Sequence, residues 1–143
     1  MSDTITKIIS ENLYSKAVYE QKQKIAEYLK DFEINAEEND IPQFIDCGGN
    51  LEEITCLCCG ETIDFDWWSE KVSELFENDF SDPTVTVPCC GKSVSVNDLK
   101  YNMPCGFASA EISINDNVDL SADDIATLNG IVGGPIRIIK AHY

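Results

Sequence analysis

The sequence lacks a long apolar run, a leader-like N-terminus and any abundance of basic residues. No stretch approaches the roughly 18 apolar residues that cross a bilayer, so we expect no membrane-spanning segment. Residues 1–7 show no basic region leading into an apolar one, so we also expect no signal peptide. Seven clustered cysteines, an odd number, then indicate metal ligands and free thiols rather than a disulfide framework. We therefore expect a cytoplasmic protein, bacterial or archaeal in origin.

Common catalytic motifs are also missing from the sequence. It contains no P-loop, no G-x-G-x-x-G that opens a helix, and no H-E-x-x-H. His142 is the only histidine, so a Ser-His-Asp or Cys-His arrangement would have to be built on it. Its neighbours do not support such an arrangement. We therefore predict no catalytic residue, and a binding protein is favoured over an enzyme.

The chain is long enough for one domain with a real core. It has 143 residues, of which 43% are hydrophobic. Two independent domains of half this length would each be marginally stable. We predict a single domain over residues 1–143.

Negative charge dominates the composition and is concentrated in one third of the chain. The formal net charge is −16. Residues 31–79 contain fifteen acids and one lysine, whereas residues 1–30 carry a net charge of +1 and residues 80–143 of −3. Such a field repels phosphates and anionic membranes, which argues against a nucleic-acid or membrane partner. It favours a basic protein partner, although a solvated acidic surface is the simplest interpretation.

Two cysteine pairs carry the strongest chemical signal. Cys56 and Cys59 have C-x₂-C spacing before Gly60, and Cys89 and Cys90 precede a second glycine. Each pair follows a strand-like run, so each is predicted to lie in a tight turn that presents two thiolates to one tetrahedral Zn²⁺. The order C-x₂-C…C-C resembles the ligands of the small RNA-polymerase subunit with an atypical zinc bundle. We predict a structural zinc ion held by Cys56, Cys59, Cys89 and Cys90.

Two other interpretations of these cysteines stay open: buried thiols without a metal, and a C-x-x-C redox site. Four thiolates would leave no open coordination position, which argues against catalysis by the metal. Cys47, Cys58 and Cys105 remain outside the predicted set. Cys58 lies inside the first turn, where it could exchange roles with a neighbour.

Hydrophobic periodicity predicts an α+β fold. An N-terminal helix is expected over residues 10–32, followed by an acidic connector from Asp31 to Asp40 that ends at Ile41-Pro42. Residues 44–105 would form a zinc-ribbon-like insertion that contains a helix from about Asp64 to Asn78. Residues 106–143 would add a strand, a helix that begins near Ser121 and a last strand. The result is a small, mostly antiparallel sheet with an N-terminal helix and two further helices.

The predicted helix between the cysteine pairs offers a candidate interaction surface. Adjacent residues on a helix point about 100° apart, so Trp67 and Trp68 cannot enter the same core. Either one ring is a surface anchor, or both rings are partly buried against the zinc unit. The acids near these rings are Asp64, Asp66, Glu70 and Glu74. They could form one helix edge, although acids spaced by four residues are usually just exposed.

A series of ordered motifs resembles a small bacterial family of uncharacterised cytoplasmic proteins with a C-x₂-C…P-C-C-G core. The motifs are Asp66-Trp67-Trp68, Pro88-Cys89-Cys90-Gly91, residues 95–101, Pro104-Cys105-Gly106-Phe107-Ala108 and Gly134-Pro135-Ile136-Arg137. The resemblance covers roughly residues 42–143. Some members carry a transporter-ATPase label, for which this sequence has no motif. The resemblance implies alanine at position 105 in relatives, which makes Cys105 a poor ligand candidate, and it implies no reaction.

Three functions follow as hypotheses. The favoured one is a non-enzymatic, zinc-stabilised acidic module that engages a basic protein, as an immunity protein or an adaptor does. The alternative is a hydrolase-like enzyme in which Asp64, Asp66 or Asp98 binds a second divalent metal. Nucleic-acid binding by the zinc unit ranks last, because only Lys92 and Lys100 follow the second cysteine pair. The sequence does not indicate an oligomeric state.

Overall fold

A computed structural model describes residues 4–48, 52–103 and 105–142 of the chain. The described residues form four α-helices and three sheets, in which all paired strands are antiparallel. The predicted α+β class is therefore confirmed. The chain divides into two compact units: unit 1 comprises residues 1–50 and 104–143, and unit 2 comprises residues 51–103. The single domain over residues 1–143 stays a prediction.

Unit 1 is built on a four-stranded sheet in the order β2-β8-β1-β9. The strands are β1 (Thr4–Ser10), β2 (Ile34–Ile45), β8 (Gly106–Ile114) and β9 (Ile136–His142). Its helices are α1 (Ala17–Glu20), α2 (Lys22–Tyr28) and α4 (Ala122–Val132). One face of the sheet contributes Ile8, Ile112 and Ile114 to a buried cluster with Val18, Ile25 and Leu128 from the helices. Burial of these side chains is the main stabilising contribution in unit 1.

Helix α4 begins and ends where the sequence predicts. The Ser121 hydroxyl accepts the Asp124 backbone N–H at 3.1 Å, and the Asp124 carboxylate accepts the Ser121 N–H at 2.9 Å. This reciprocal pair is a capping box. Gly133 ends the helix in the left-handed conformation, with φ +84°.

The predicted N-terminal helix over residues 10–32 is wrong. The first element is strand β1, and the region after it contains two short helices, α1 and α2. Polar side chains turn the chain between β1 and α1: Ser10, Asn12 and Ser15 each accept the backbone N–H two residues further on, at 3.1 Å. These local bonds compete with helical ones, so the apolar spacing does not produce a continuous helix.

The predicted acidic connector over residues 31–40 is also wrong, because most of it belongs to β2. This strand is at an end of the sheet and pairs with β8 on one side. The pairing is interrupted between Glu38 and Gln43, and Pro42 lies in that interruption. A proline there removes no ladder hydrogen bond, so the strand tolerates it.

Unit 2 contains two short hairpins separated by a helix. The first hairpin pairs β3 (Ile54–Thr55) with β4 (Thr62–Ile63), and β3 also pairs with β7 (Lys100–Tyr101). Helix α3 (Phe65–Glu77) follows, and the second hairpin pairs β5 (Thr84–Thr86) with β6 (Ser93–Ser95). Among the described residues of both units, no helix has the length and apolar character needed to cross a membrane.

Candidate metal centre

The first hairpin of unit 2 holds its cysteines in a tight turn. The Cys56 N–H donates to the Glu61 carbonyl at 2.8 Å, and the Gly60 N–H donates to the Cys56 carbonyl at 3.0 Å. Gly60 has φ +78°, a conformation that favours glycine because it has no Cβ. These hydrogen bonds and the Gly60 conformation bend the loop so that Cys56 and Cys59 face each other.

The second hairpin repeats this turn 31 positions later. The Val87 N–H donates to the Lys92 carbonyl and the Gly91 N–H to the Val87 carbonyl, both at 3.0 Å. Gly91 has φ +71°, close to the value at Gly60. The two turns therefore have the same hydrogen bonds and the same left-handed glycine.

The repeat extends beyond the turns. Ile54 pairs with Ile63 in the first hairpin, and Val85 pairs with Val94 at the equivalent positions of the second. An equivalent residue at the end of each hairpin caps a helical turn: the Asp64 side chain accepts the Asp66 N–H at 2.9 Å, and the Ser95 hydroxyl accepts the Asn97 N–H at 3.2 Å. The two segments are thus equivalent from strand to helix cap.

Thiols from the two hairpins converge at one point. The Sγ atoms of Cys56, Cys59, Cys89 and Cys90 all lie within 4.8 Å of one another. Two of these separations join different hairpins: Cys56 to Cys90 at 3.8 Å and Cys59 to Cys89 at 3.2 Å. In a tetrahedral thiolate site with bonds of about 2.3 Å, the sulfurs lie about 3.8 Å apart. The cluster is therefore suited to hold a metal ion.

The electrostatics of the thiols also suit a cation. The pKa of Cys56 is lowered to about 6, first because the Cys59 backbone N–H donates to its sulfur. The pKa of Cys89 is raised to about 12, first by its side-chain hydrogen bond with Cys59 and then by desolvation. Thiols this close do not all ionise unaided, because each thiolate opposes the next. A cation among them would favour the thiolate forms that metals bind.

The remaining cysteines fall outside this group. Cys58 is exposed in the first turn, and desolvation, followed by the charges of Cys56 and Cys90, raises the pKa of its thiol. Cys47 and Cys105 are buried in unit 1. The pKa of Cys105 is raised to about 12, mainly by burial. A buried, protonated thiol is inert, so this pair has the properties of core residues.

Helix α3 presents the predicted acids to solvent. Asp64 caps the helix, and Asp66, Glu70 and Glu74 recur every fourth residue along it, all exposed. Lys71 forms one ion pair with Glu74, at 3.3 Å. The edge of the helix that carries these acids is therefore strongly negative.

The two tryptophans of α3 are both half-buried. The Trp68 indole N–H donates to the Tyr101 hydroxyl at 3.2 Å, and the two rings meet edge-on with centroids 6.3 Å apart. Trp68 thus bonds to and packs against Tyr101 within unit 2, which indicates a structural role. Trp67, one residue away, remains the candidate anchor.

The carboxylates proposed for an enzyme belong to no close group of three or more among the described residues. Among the described residues, the four cysteines form the only group of three or more His, Cys, Asp or Glu side chains with ligand atoms mutually within 4.8 Å. Asp98 is exposed on a 3₁₀ turn (Val96–Asp98). His142 is exposed, and its Nδ1 lies 3.0 Å from the Thr4 hydroxyl.

No family model, curated protein or solved structure matches this chain. The resemblance to an uncharacterised bacterial family consequently stays a prediction.

Sequence reasoning missed the full extent of the repeat. The segments ITCLCCGETID and VTVPCCGKSVS, which begin at Ile54 and Val85, align without a gap. That signal was available in the sequence, but it is weak outside the C-C-G triplet. Its consequence is that Val87 holds the position of Cys56, and Cys89 that of Cys58.

Proposed function

We propose that unit 2 is a zinc-ribbon-like, zinc-stabilised acidic module that binds a basic protein, without catalysis of its own. The observation that carries this proposal is the thiol cluster formed by two equivalent hairpins, with the acidic helix α3 between them in sequence. Soft thiolates in a tetrahedral arrangement favour Zn²⁺ among the common divalent ions.

The zinc in this proposal has a structural role. Four cysteine thiolates fill a tetrahedral coordination sphere, so no position is left for water or substrate. Because the ligands come from both hairpins, the ion would link two segments about thirty residues apart in sequence. Metal binding would in this way provide part of the folding free energy of a small unit.

The binding surface in this proposal is the exposed edge of α3. Unit 2 carries eleven acids and three lysines, a net charge of −8, and zinc with four thiolates would add about −2 more. Asp66, Glu70 and Glu74 give the edge its charge, and Trp67 offers apolar area beside them. A basic surface is the complementary partner, and such pairing accelerates association most at low salt.

The test combines metal analysis with affinity capture. The purified chain is expected to hold one Zn²⁺, and its removal by a chelator should lower the unfolding temperature by roughly 10 °C. Proteins captured by the zinc-loaded chain should be basic, and recovery should fall between about 50 mM and about 300 mM salt. Neutral or acidic partners, or capture that ignores salt, would contradict the proposed partner class.

A charge-reversed pair provides the matched comparison. Glu70→Lys with Glu74→Lys should abolish the salt-sensitive capture, because both changes lie on the α3 edge. Glu20→Lys with Glu27→Lys makes the same change in charge on the exposed helices of unit 1 and should leave capture intact. Equal losses of capture in both double variants would show that binding depends on net charge and not on the α3 edge.

A further inference from the structure

The two hairpins supply their thiols from different positions of the same turn. Counting from the residue that follows β3 or β5, the first hairpin carries cysteine at positions 1, 3 and 4, namely Cys56, Cys58 and Cys59. The second carries valine at position 1 and cysteine at positions 3 and 4, namely Cys89 and Cys90. The cluster therefore combines positions 1 and 4 of one turn with positions 3 and 4 of the other.

Position 3 of this turn can therefore reach the metal site. Cys89 demonstrates it, because its sulfur is within the cluster while Val87 at position 1 contributes none. Cys58 occupies position 3 of the first hairpin, whose hydrogen bonds, strand pairing and glycine conformation are the same. The backbone thus places Cys58 in the first turn as it places Cys89 in the second.

Cys58 also borders the cluster. It is adjacent in sequence to Cys59 and two residues from Cys56, and negative charge on Cys56 and Cys90 acts on its thiol. Its side chain is exposed, so it is free to rotate, whereas Cys56 is only 1% exposed. An uncommitted thiol therefore lies next to the group of four.

We propose that Cys58 is a reserve ligand that replaces Cys56, which gives the metal centre two alternative four-thiolate coordination sets. This inference rests on the zinc site proposed above. In the exchange, the bond from the metal to Cys56 Sγ breaks as a bond to Cys58 Sγ forms. The proton of the Cys58 thiol passes to Cys56, so the ion keeps four thiolates and its charge is unchanged.

The second hairpin has no such reserve. Its position 1 is Val87, which is buried and offers no ligand atom. The proposal is therefore asymmetric: loss of the position-1 thiol in the first hairpin is tolerated, whereas loss of Cys89 in the second is not. This asymmetry separates a reserve ligand from a general excess of thiols.

Cys56→Val is the sharpest test, because it copies the residue that the equivalent turn already accommodates. The full chain should still bind one Zn²⁺, with an affinity within about tenfold of the wild type in competition with a chromophoric chelator. Co²⁺ substitution should show a tetrahedral four-thiolate spectrum. Cys56→Val with Cys58→Ser removes the reserve and should weaken binding by roughly 100-fold or more, as should Cys89→Ser alone.

Three outcomes would overturn the proposal. Cys56→Val could bind as weakly as its double variant with Cys58→Ser, which would show that Cys58 does not ligate. Cys58→Ser alone could lose the metal, which would make Cys58 a primary ligand instead of a reserve. Absence of zinc from the wild-type chain would remove the proposed zinc site itself. Should valine prevent folding, Cys56→Ala provides the same comparison with a smaller side chain.

Discussion

The Tyr101 hydroxyl links α3 to the turn that follows the second hairpin. It accepts the Trp68 indole N–H at 3.2 Å and donates to the Val96 carbonyl at 2.8 Å. Both bonds are partly shielded from solvent, so neither partner finds an equally good replacement in water. One side chain thus joins two parts of unit 2 that the sequence keeps about thirty residues apart.

Removal of that hydroxyl should destabilise unit 2. Tyr101→Phe keeps the ring but leaves two polar groups without their partner, so we expect a loss of about 1–2 kcal/mol in the free energy of unfolding. Urea denaturation followed by tryptophan fluorescence measures it, since both tryptophans lie in α3. Tyr28→Phe removes an exposed hydroxyl bonded to Asp124 and should cost less. Equal costs would show that the Tyr101 bonds contribute nothing specific.

The equivalence of the hairpins predicts a redesigned metal site. Val87→Cys places a thiol at the position that Cys56 holds in the first turn, so it should compensate for the loss of Cys89. We expect Val87→Cys with Cys89→Ser to bind one Zn²⁺ with four thiolates, whereas Cys89→Ser alone binds far more weakly. Metal content and Co²⁺ spectra distinguish the two. Failure of the double variant to recover binding would contradict the equivalence of positions 56 and 87.

Glu111 gives unit 1 a pH dependence of defined sign. Burial raises the pKa of Glu111. The charge of Lys7 opposes this shift, and the charge of Glu37, directly opposite on β2, adds to it. Because the folded pKa lies above the unfolded value near 4.5, the stability contribution of this group is complete below that pH. It is lost as the pH rises through the folded pKa.

Glu111→Gln should therefore stabilise the protein at pH 7 but not at pH 4. We expect a gain of roughly 0.5 kcal/mol at neutral pH, because the variant removes the desolvation of a buried carboxylate and its repulsion by Glu37, less the lost attraction to Lys7. Chemical denaturation at the two pH values measures it. Glu38→Gln is the matched control, since Glu38 is exposed on β2 beside Glu37 and lies opposite Ala110. A gain that is equal at both pH values would refute this explanation.

Two glycines should respond to alanine in opposite directions. Gly48 has φ +76°, and a Cβ there would lie 2.0 Å from the His142 carbonyl oxygen. Gly48→Ala should therefore cost about 2 kcal/mol or more. Gly130 lies within α4 with open space around its Cα, so Gly130→Ala should gain about 0.5–1 kcal/mol. Thermal unfolding of both variants checks the contrast, and a stable Gly48→Ala would contradict the predicted clash.

The thiol cluster was predictable because its signal is local. C-x₂-C and C-C-G are short patterns whose chemistry depends on a few neighbouring residues, and all four predicted cysteines do converge. The strand β8 and helix α4 were predictable for a similar reason, since alternation and capping residues act within a single element.

The N-terminal third was not predictable from periodicity. Leu13, Val18, Ile25 and Leu29 recur at helical spacing and are indeed buried. Their burial is achieved by short helices packed on a sheet, with side-chain turns at Asn12 and Ser15 between strand and helix. Most of strand β2 escaped prediction because its backbone is satisfied by β8, a partner about seventy residues away. Tertiary pairing of that kind leaves no local trace.

Because β2 lies at the edge of the sheet, the acids in residues 31–40 have a structural role as well as a possible binding role. A strand at the end of a sheet offers unpaired backbone groups to any other extended chain. Glu37, Glu38 and Asp40 are exposed along β2, and Pro42 interrupts its pairing. Charge repulsion and a missing N–H both discourage a second copy from adding a strand there. Part of the acidic excess thus protects the protein against aggregation, and only the remainder is available for recognition of a partner.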